Sequence, residues 1–264
     1  MGTRRRRRQQ QIKQEEELSF AFIDFGYYES ERIFETGEHH LEVWVNALKV
    51  NNSKWTRYKG CEGEFPTDEE LYDLKGIVIP ASRSSANDDW NEAYAFIRKV
   101  VERGIPQLYC AAFGSHLLAV ALGGTMGSIP SGKFKFGSED IEILPGWYNH
   151  PILGSAKSDS DDDLKKVTTL KAHGHCVTEL PENAILAASS ETCENEVWYI
   201  GNSILAMQCH PEFTAHIMRD KMLPKIADRG LLSTDEVAET AESLKKVLDN
   251  SLLCNLISQF LCYE

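Results

Sequence analysis

The stretch I105-P-Q-L-Y-C-A-A-F-G-S-H-L-L-A-V-A-L-G-G124 decides how the rest of the chain is read. Ile105, Leu108 and Tyr109 read as a short buried strand, and Ala111-Ala112-Phe113-Gly114 as a sharp turn built from small residues. Leu117, Leu118 and Ala121 then recur at helical spacing, and Gly123-Gly124 stop the helix. A tight strand-to-helix turn is the device by which α/β hydrolytic enzymes raise a nucleophile over a sheet, at the positive end of a helix. The apex residue here is Ala112, which carries no nucleophilic atom.

Working outward, strands alternate with helices. S19-F-A-F-I-D-F25 and L74-K-G-I-V-I-P80 are short apolar runs of strand type. Leu41, Trp44, Val45 and Leu48 form a helical stripe, and Trp90, Ala93, Tyr94, Ile97 and Val101 form a second. That alternation predicts an α/β fold, doubly wound, with a mostly parallel sheet flanked by helices on both faces. Beyond the elbow, Gly132–Leu144 reads as a strand pair or extended segment. Short strands are predicted near Val167–Leu170, Ala184–Ser189, Val197–Ile200 and Ser203–Met207. Val237–Leu261 reads as one amphipathic helix or two.

Composition limits the function classes. Lys and Arg number 28 against 40 Asp and Glu, a net charge of −12, which argues against a general nucleic-acid binder because phosphate recognition needs a basic face. No apolar run approaches the roughly 20 residues that span a bilayer, and the charged start is not followed by the apolar core of a secretory signal. The seven cysteines are scattered without a C-x-x-C pair, which suits reduced thiols and a cytoplasmic setting. Residues 1–17 read as a charged tail, and 18–264 as the folded domain. The run Arg4–Arg8 is either solvated tail or a nuclear-import or polyanion patch. The acidic stretch Ser155–Lys166 reads as a surface loop without the ligand spacing of a calcium site.

A second constellation is A206-M-Q-C-H-P-E-F213, placed just after an apolar strand. A thiol needs a neighbouring imidazole to become a thiolate, and that imidazole needs an acceptor to fix its tautomer. The proline between His210 and Glu212 constrains the backbone that carries them.

Together the two constellations resemble the class I glutamine amidotransferases, whose elbow runs roughly G-I-C-F-G-H-Q-L-L-A-x-A-L-G-G and whose base motif is G-x-Q-x-H-P-E. The likeness runs ungapped from Cys110 to Gly124, spans roughly Ser19 to the 220s, and puts Ala112 where the family carries its catalytic cysteine. It implies the family's flavodoxin-like fold, His210 as general base and Glu212 as its orienting partner. It also implies Ala81 and Phe113 as the backbone N–H donors of an oxyanion hole, with Ala81 standing where the family has glycine. His116, with Ser115, replaces the family's His-Gln. In K171-A-H-G-H-C-V-T-E-L-P181, similar to the family's H-x-D-x-V-x-x-L-P segment near the substrate, His175 replaces the aspartate; His173 and His175 read equally as polar loop residues.

The segment Ala121–Gly137 is most similar to the stand-alone γ-glutamyl peptidase and GMP-synthase-like branch. The implied ligand is a small-molecule γ-glutamyl amide, either glutamine or a glutathione-like peptide, with no cofactor and no metal. No synthetase domain follows Glu264, so ammonia, if released, would pass to a separate ammonia-accepting synthetase. Three readings of Ala112 stand: a natural pseudoenzyme that binds a ligand or partner, a substitution introduced to stop turnover, or a role for Cys110 as replacement thiol.

Overall fold

The computed structural model describes residues 17–26, 40–82, 84, 89–156 and 164–263. The basic run Arg4–Arg8 and the centre of the acidic stretch, 157–163, lie outside the described residues.

The central sheet is built around five parallel strands. β1 (Leu18–Asp24) pairs with β2 (Ser53–Lys59) on one side and β3 (Leu74–Ile79) on the other. β3 pairs with β4 (Gln107–Ala111), and β4 with β11 (Ile204–Met207). Four antiparallel strands extend it in the order β10 (Val197–Ile200), β9 (Ile185–Ser189), β6 (Lys135–Ile143) and β7 (Lys166–His173). A separate antiparallel pair joins β5 (Thr125–Ser128) to β8 (His175–Glu179).

Alternation along the strands explains the layering. Phe20, Phe22, Tyr109 and Ala111 point to one face, where Trp44 of α1 (His40–Leu48) and Leu253, Ile257 and Phe260 of α9 (Asn250–Leu261) pack. Ala21, Ile23, Leu108 and Cys110 point to the other, against Ile97 and Val100 of α3 (Asn91–Arg103) and Leu117 and Leu118 of α4 (Phe113–Ala121). Period-two strands that are apolar on both faces must be covered on both, which makes the sheet doubly wound. α2 (Asp68–Asp73) precedes β3 behind a Thr67/Glu70 capping box, and α5 (Pro145–Asn149) follows β6. After β11 come α6 (Ala215–Ile217), α7 (Leu223–Asp228) and α8 (Thr234–Ser243), so Val237–Leu261 divides between α8 and α9. No described helix is long and apolar enough to cross a membrane.

The elbow is held by close packing. Ala112 adopts φ 46°, ψ −108°, a conformation that L-residues rarely occupy, and α4 starts at the next residue. Gly114 lets α4 lie directly on β3: a Cβ there would stand 2.1 Å from the Ile79 carbonyl oxygen. Ala112 N–H donates to the carbonyl of Met207, the last residue of β11, at 2.8 Å, extending the ladder one residue past the end of β4.

Candidate active site

Parallel pairing of β4 with β11 puts the ends of both strands at one edge of the sheet. Ala112 follows the first, and Gln208-Cys209-His210 follows the second. His210 N–H donates to the Leu170 carbonyl of β7 at 2.9 Å, which fixes the base-bearing loop from its other side. His210 is 1% exposed and Glu212 4%. His210 Nδ1 lies 2.8 Å from Glu212 Oε1, and the imidazole stacks on Phe213 with ring centres 5.2 Å apart. Because a carboxylate only accepts, Nδ1 carries the hydrogen, and in the neutral ring the lone pair is on Nε2. Nε2 is buried and has no hydrogen-bond partner among the described residues.

A cleft of about 310 Å³ opens over this edge. Ala81, Ala112, Phe113, His116, His175 and His210 all line it, so it gathers the sequence-predicted site residues except Glu212, which stands behind His210. Phe113 is the first residue of α4, and its N–H has no acceptor within the helix. His116 Nε2 meets the Gln208 side-chain oxygen at 2.8 Å, a second tie between α4 and the base loop. Burial outweighs that bond and lowers the His116 pKa to about 4, so the ring is neutral near pH 7.

None of the described cysteines lines the cleft. The replacement role for Cys110 is therefore set aside: its side chain belongs to β4, points into the α3/α4 core, is fully buried, and burial raises its thiol pKa far above the usual range.

These features have a family context. The sequence pattern of the "Glutamine amidotransferase class-I" family matches residues 29–228. The chain belongs to the class I glutamine amidotransferases. It is 25% identical over 242 residues to γ-glutamyl peptidase 3 of Arabidopsis thaliana, covering 89% of this chain and 91% of that protein. It is 30% identical over 166 residues to the glutamine-hydrolysing GMP synthase of Bordetella avium, covering 60% of this chain and 29% of that longer protein. Among solved structures, a glutamine amidotransferase from Thermotoga maritima superposes with a TM-score of 0.67 at 15% identity, covering 93% and 97% of the two chains.

In this class I amidotransferase, several cleft features escaped the motif reading. Gln208 stands inside the quoted base motif, yet only its contact with His116 gives it a role. Gly174, between β7 and β8, lines the cleft beside His175 and beside His173, the last residue of β7, whose segment is similar to one near the substrate in the family. The far wall is apolar, with Met126, Phe134, Met222, Ile226 and Leu231, and its rim carries Lys225 and Arg229. Those two are the formally charged side chains lining the cleft among the described residues, in a chain of net charge −12. They follow His210 by fifteen residues or more, at a spacing that a local pattern does not link to the base motif.

The neutral histidines predict acid sensitivity. Burial also lowers the pKa of His40, under β1, to about 3. The unfolded chain, with histidines titrating near 6.5, binds protons that the folded rings refuse. Stability is thus intact above pH 6.5 and falls as pH drops toward 4. Urea unfolding at pH 7 and pH 5 should show a loss on the order of 1–2 kcal/mol per buried imidazole. His116→Gln should flatten that slope; a midpoint unchanged between the two pH values contradicts it.

Proposed function

We propose that the cleft is built for acyl transfer from a γ-glutamyl amide through a Cys-His-Glu triad at positions 112, 210 and 212, and that Ala112 withholds the nucleophile. One observation carries the reading: a buried imidazole, anchored through Nδ1 to a carboxylate, leaves Nε2 unbonded in the cleft that also contains a strained elbow. With sulfur at the apex, the thiol proton moves to His210 Nε2 and the thiolate attacks the γ-carbonyl carbon. The N–H groups of Phe113 and Ala81 receive the oxyanion. The C–N bond then breaks as the amine takes the proton from His210. Water, deprotonated by the same ring, splits the thioester and releases glutamate.

The chain with alanine at 112 binds such ligands without turning them over. Lys225 and Arg229 support an anionic ligand, since every γ-glutamyl amide carries a carboxylate. Calorimetry with glutamine, glutamate and a γ-glutamyl dipeptide tests this directly. Saturable binding of at least one, lost in Lys225→Glu, is expected; no heat with any of them removes the small-molecule reading. We place the protein in the cytoplasm, in keeping with seven scattered cysteines of which none falls in a C-x-x-C pair.

A second reading makes the cleft a regulatory module. It is favoured by four departures around one site: Ala81, Ala112, Ser115 and His116. Restoring the thiol would then leave binding in place and hydrolysis absent.

A further inference from the structure

Beside the cleft, β6, β7 and the β9–β10 loop bury a charged cluster that no step of the amide chemistry uses. Lys171 is wholly buried and pairs closely with Glu196, also wholly buried, while Glu139 lies 3.7 Å from the same ammonium. Formal charges of one cation and two carboxylates leave the cluster one proton short of neutrality, and an uncompensated buried charge is costly.

Hydrogen-bond accounting finds the same missing proton. The His175 carbonyl only accepts, so His173 Nδ1–H donates to it, at 3.0 Å. The Thr192 hydroxyl lies 2.6 Å from Glu139 Oε2 and 3.3 Å from His173 Nε2, yet it has a single hydrogen. One added proton turns both contacts into bonds. Either Glu139 donates to Thr192 and Thr192 to Nε2, or Nε2–H donates to Thr192 and Thr192 to Glu139.

We infer that Glu139, Thr192 and His173 share one proton, and that this bonded chain makes His173 a positioning residue that holds the β7–β8 turn against the cleft. Its reach to the substrate rests on the γ-glutamyl reading; the shared proton does not. Burial, together with Lys171, holds the His173 imidazole well below its usual pKa. The other titratable groups facing the cluster are His116 of α4, His210, Cys176 of β8, Cys193 and Cys209. Locking Nδ1–H onto the His175 carbonyl closes the turn across Gly174, and both Gly174 and His175 face the cleft. Thr192 thereby couples a buried charge to the part of the wall a ligand touches.

The test compares Thr192→Val, which keeps the shape and removes the hydroxyl, with Thr192→Ser, which keeps the hydroxyl. On the chain as it stands, imidazole nitrogen NMR should show His173 hydrogen-bonded at both ring nitrogens in the parent and in Thr192→Ser. In Thr192→Val the Nε2 signal should shift, and amide exchange in β8 should accelerate about tenfold, while β3 amides keep their parental protection. Unchanged ring signals and β8 exchange in Thr192→Val, or equal damage from Thr192→Ser, overturn the inference. In an Ala112→Cys background, Thr192→Val should raise KM for a γ-glutamyl amide by about tenfold with kcat little altered. If Ala112→Cys is itself inert, the γ-glutamyl reading fails, and the exchange data alone decide the shared proton.

Discussion

Ala112→Cys should hydrolyse γ-glutamyl amides at a rate on the order of 10⁴ to 10⁶ above the parent chain, the factor by which loss of a triad nucleophile lowers turnover. The backbone at 112 already holds φ 46°, ψ −108°, so the strain that presents the side chain is in place before the sulfur arrives. The substitution adds one heavy atom to a methyl group that borders the cleft rather than the close-packed interior. The waiting base has its Nδ1 committed to Glu212 at 2.8 Å and its Nε2 free of described partners. Glutamate release from glutamine and from a γ-glutamyl dipeptide measures the gain. Adding His210→Asn to the cysteine variant should abolish it. A folded, ligand-binding Ala112→Cys protein with no turnover would falsify the triad assignment and leave the regulatory reading standing.

The second large effect is on stability. Lys171→Met should cost about 3–5 kcal/mol, because it leaves Glu196 and Glu139 buried without their cation. The methionine preserves most of the aliphatic packing, so the loss reports charge rather than volume. Lys171→Met/Glu196→Gln should recover part of it, with a loss smaller than the sum of the single variants. Denaturant midpoints on the four proteins provide the cycle. A Lys171→Met protein as stable as the parent would mean that water or rearrangement already compensates those carboxylates.

How much of this was legible depended on how local each signal was. The elbow lies in twenty consecutive residues, so strand, turn and helix could be read from one window, and β4 and α4 stand where that window puts them. His210 and Glu212 were legible because a short motif carries both. The edge strand β2 was missed: in S53-K-W-T-R-Y-K59 no residue is fully buried, and charged positions mask the alternation. Gly132–Leu144 yields one strand, β6, whose partners β7 and β9 come from later in the chain. The charged cluster was invisible for a related reason. Glu139, Lys171 and the loop pair Thr192 and Glu196 stem from three separate segments, and each alone looks like an ordinary polar residue of a strand or loop. Only sheet order brings them together, and non-local pairing leaves no mark in a local pattern.

The bond from Ala112 N–H to the Met207 carbonyl has one more implication. That tie between apex and base loop is made by main-chain atoms and does not involve the side chain at 112, so the presence or absence of a thiol there leaves it in place. On the triad reading, reactivity and architecture are separable: a change at one codon silences or restores the chemistry while the shape of the cleft is kept.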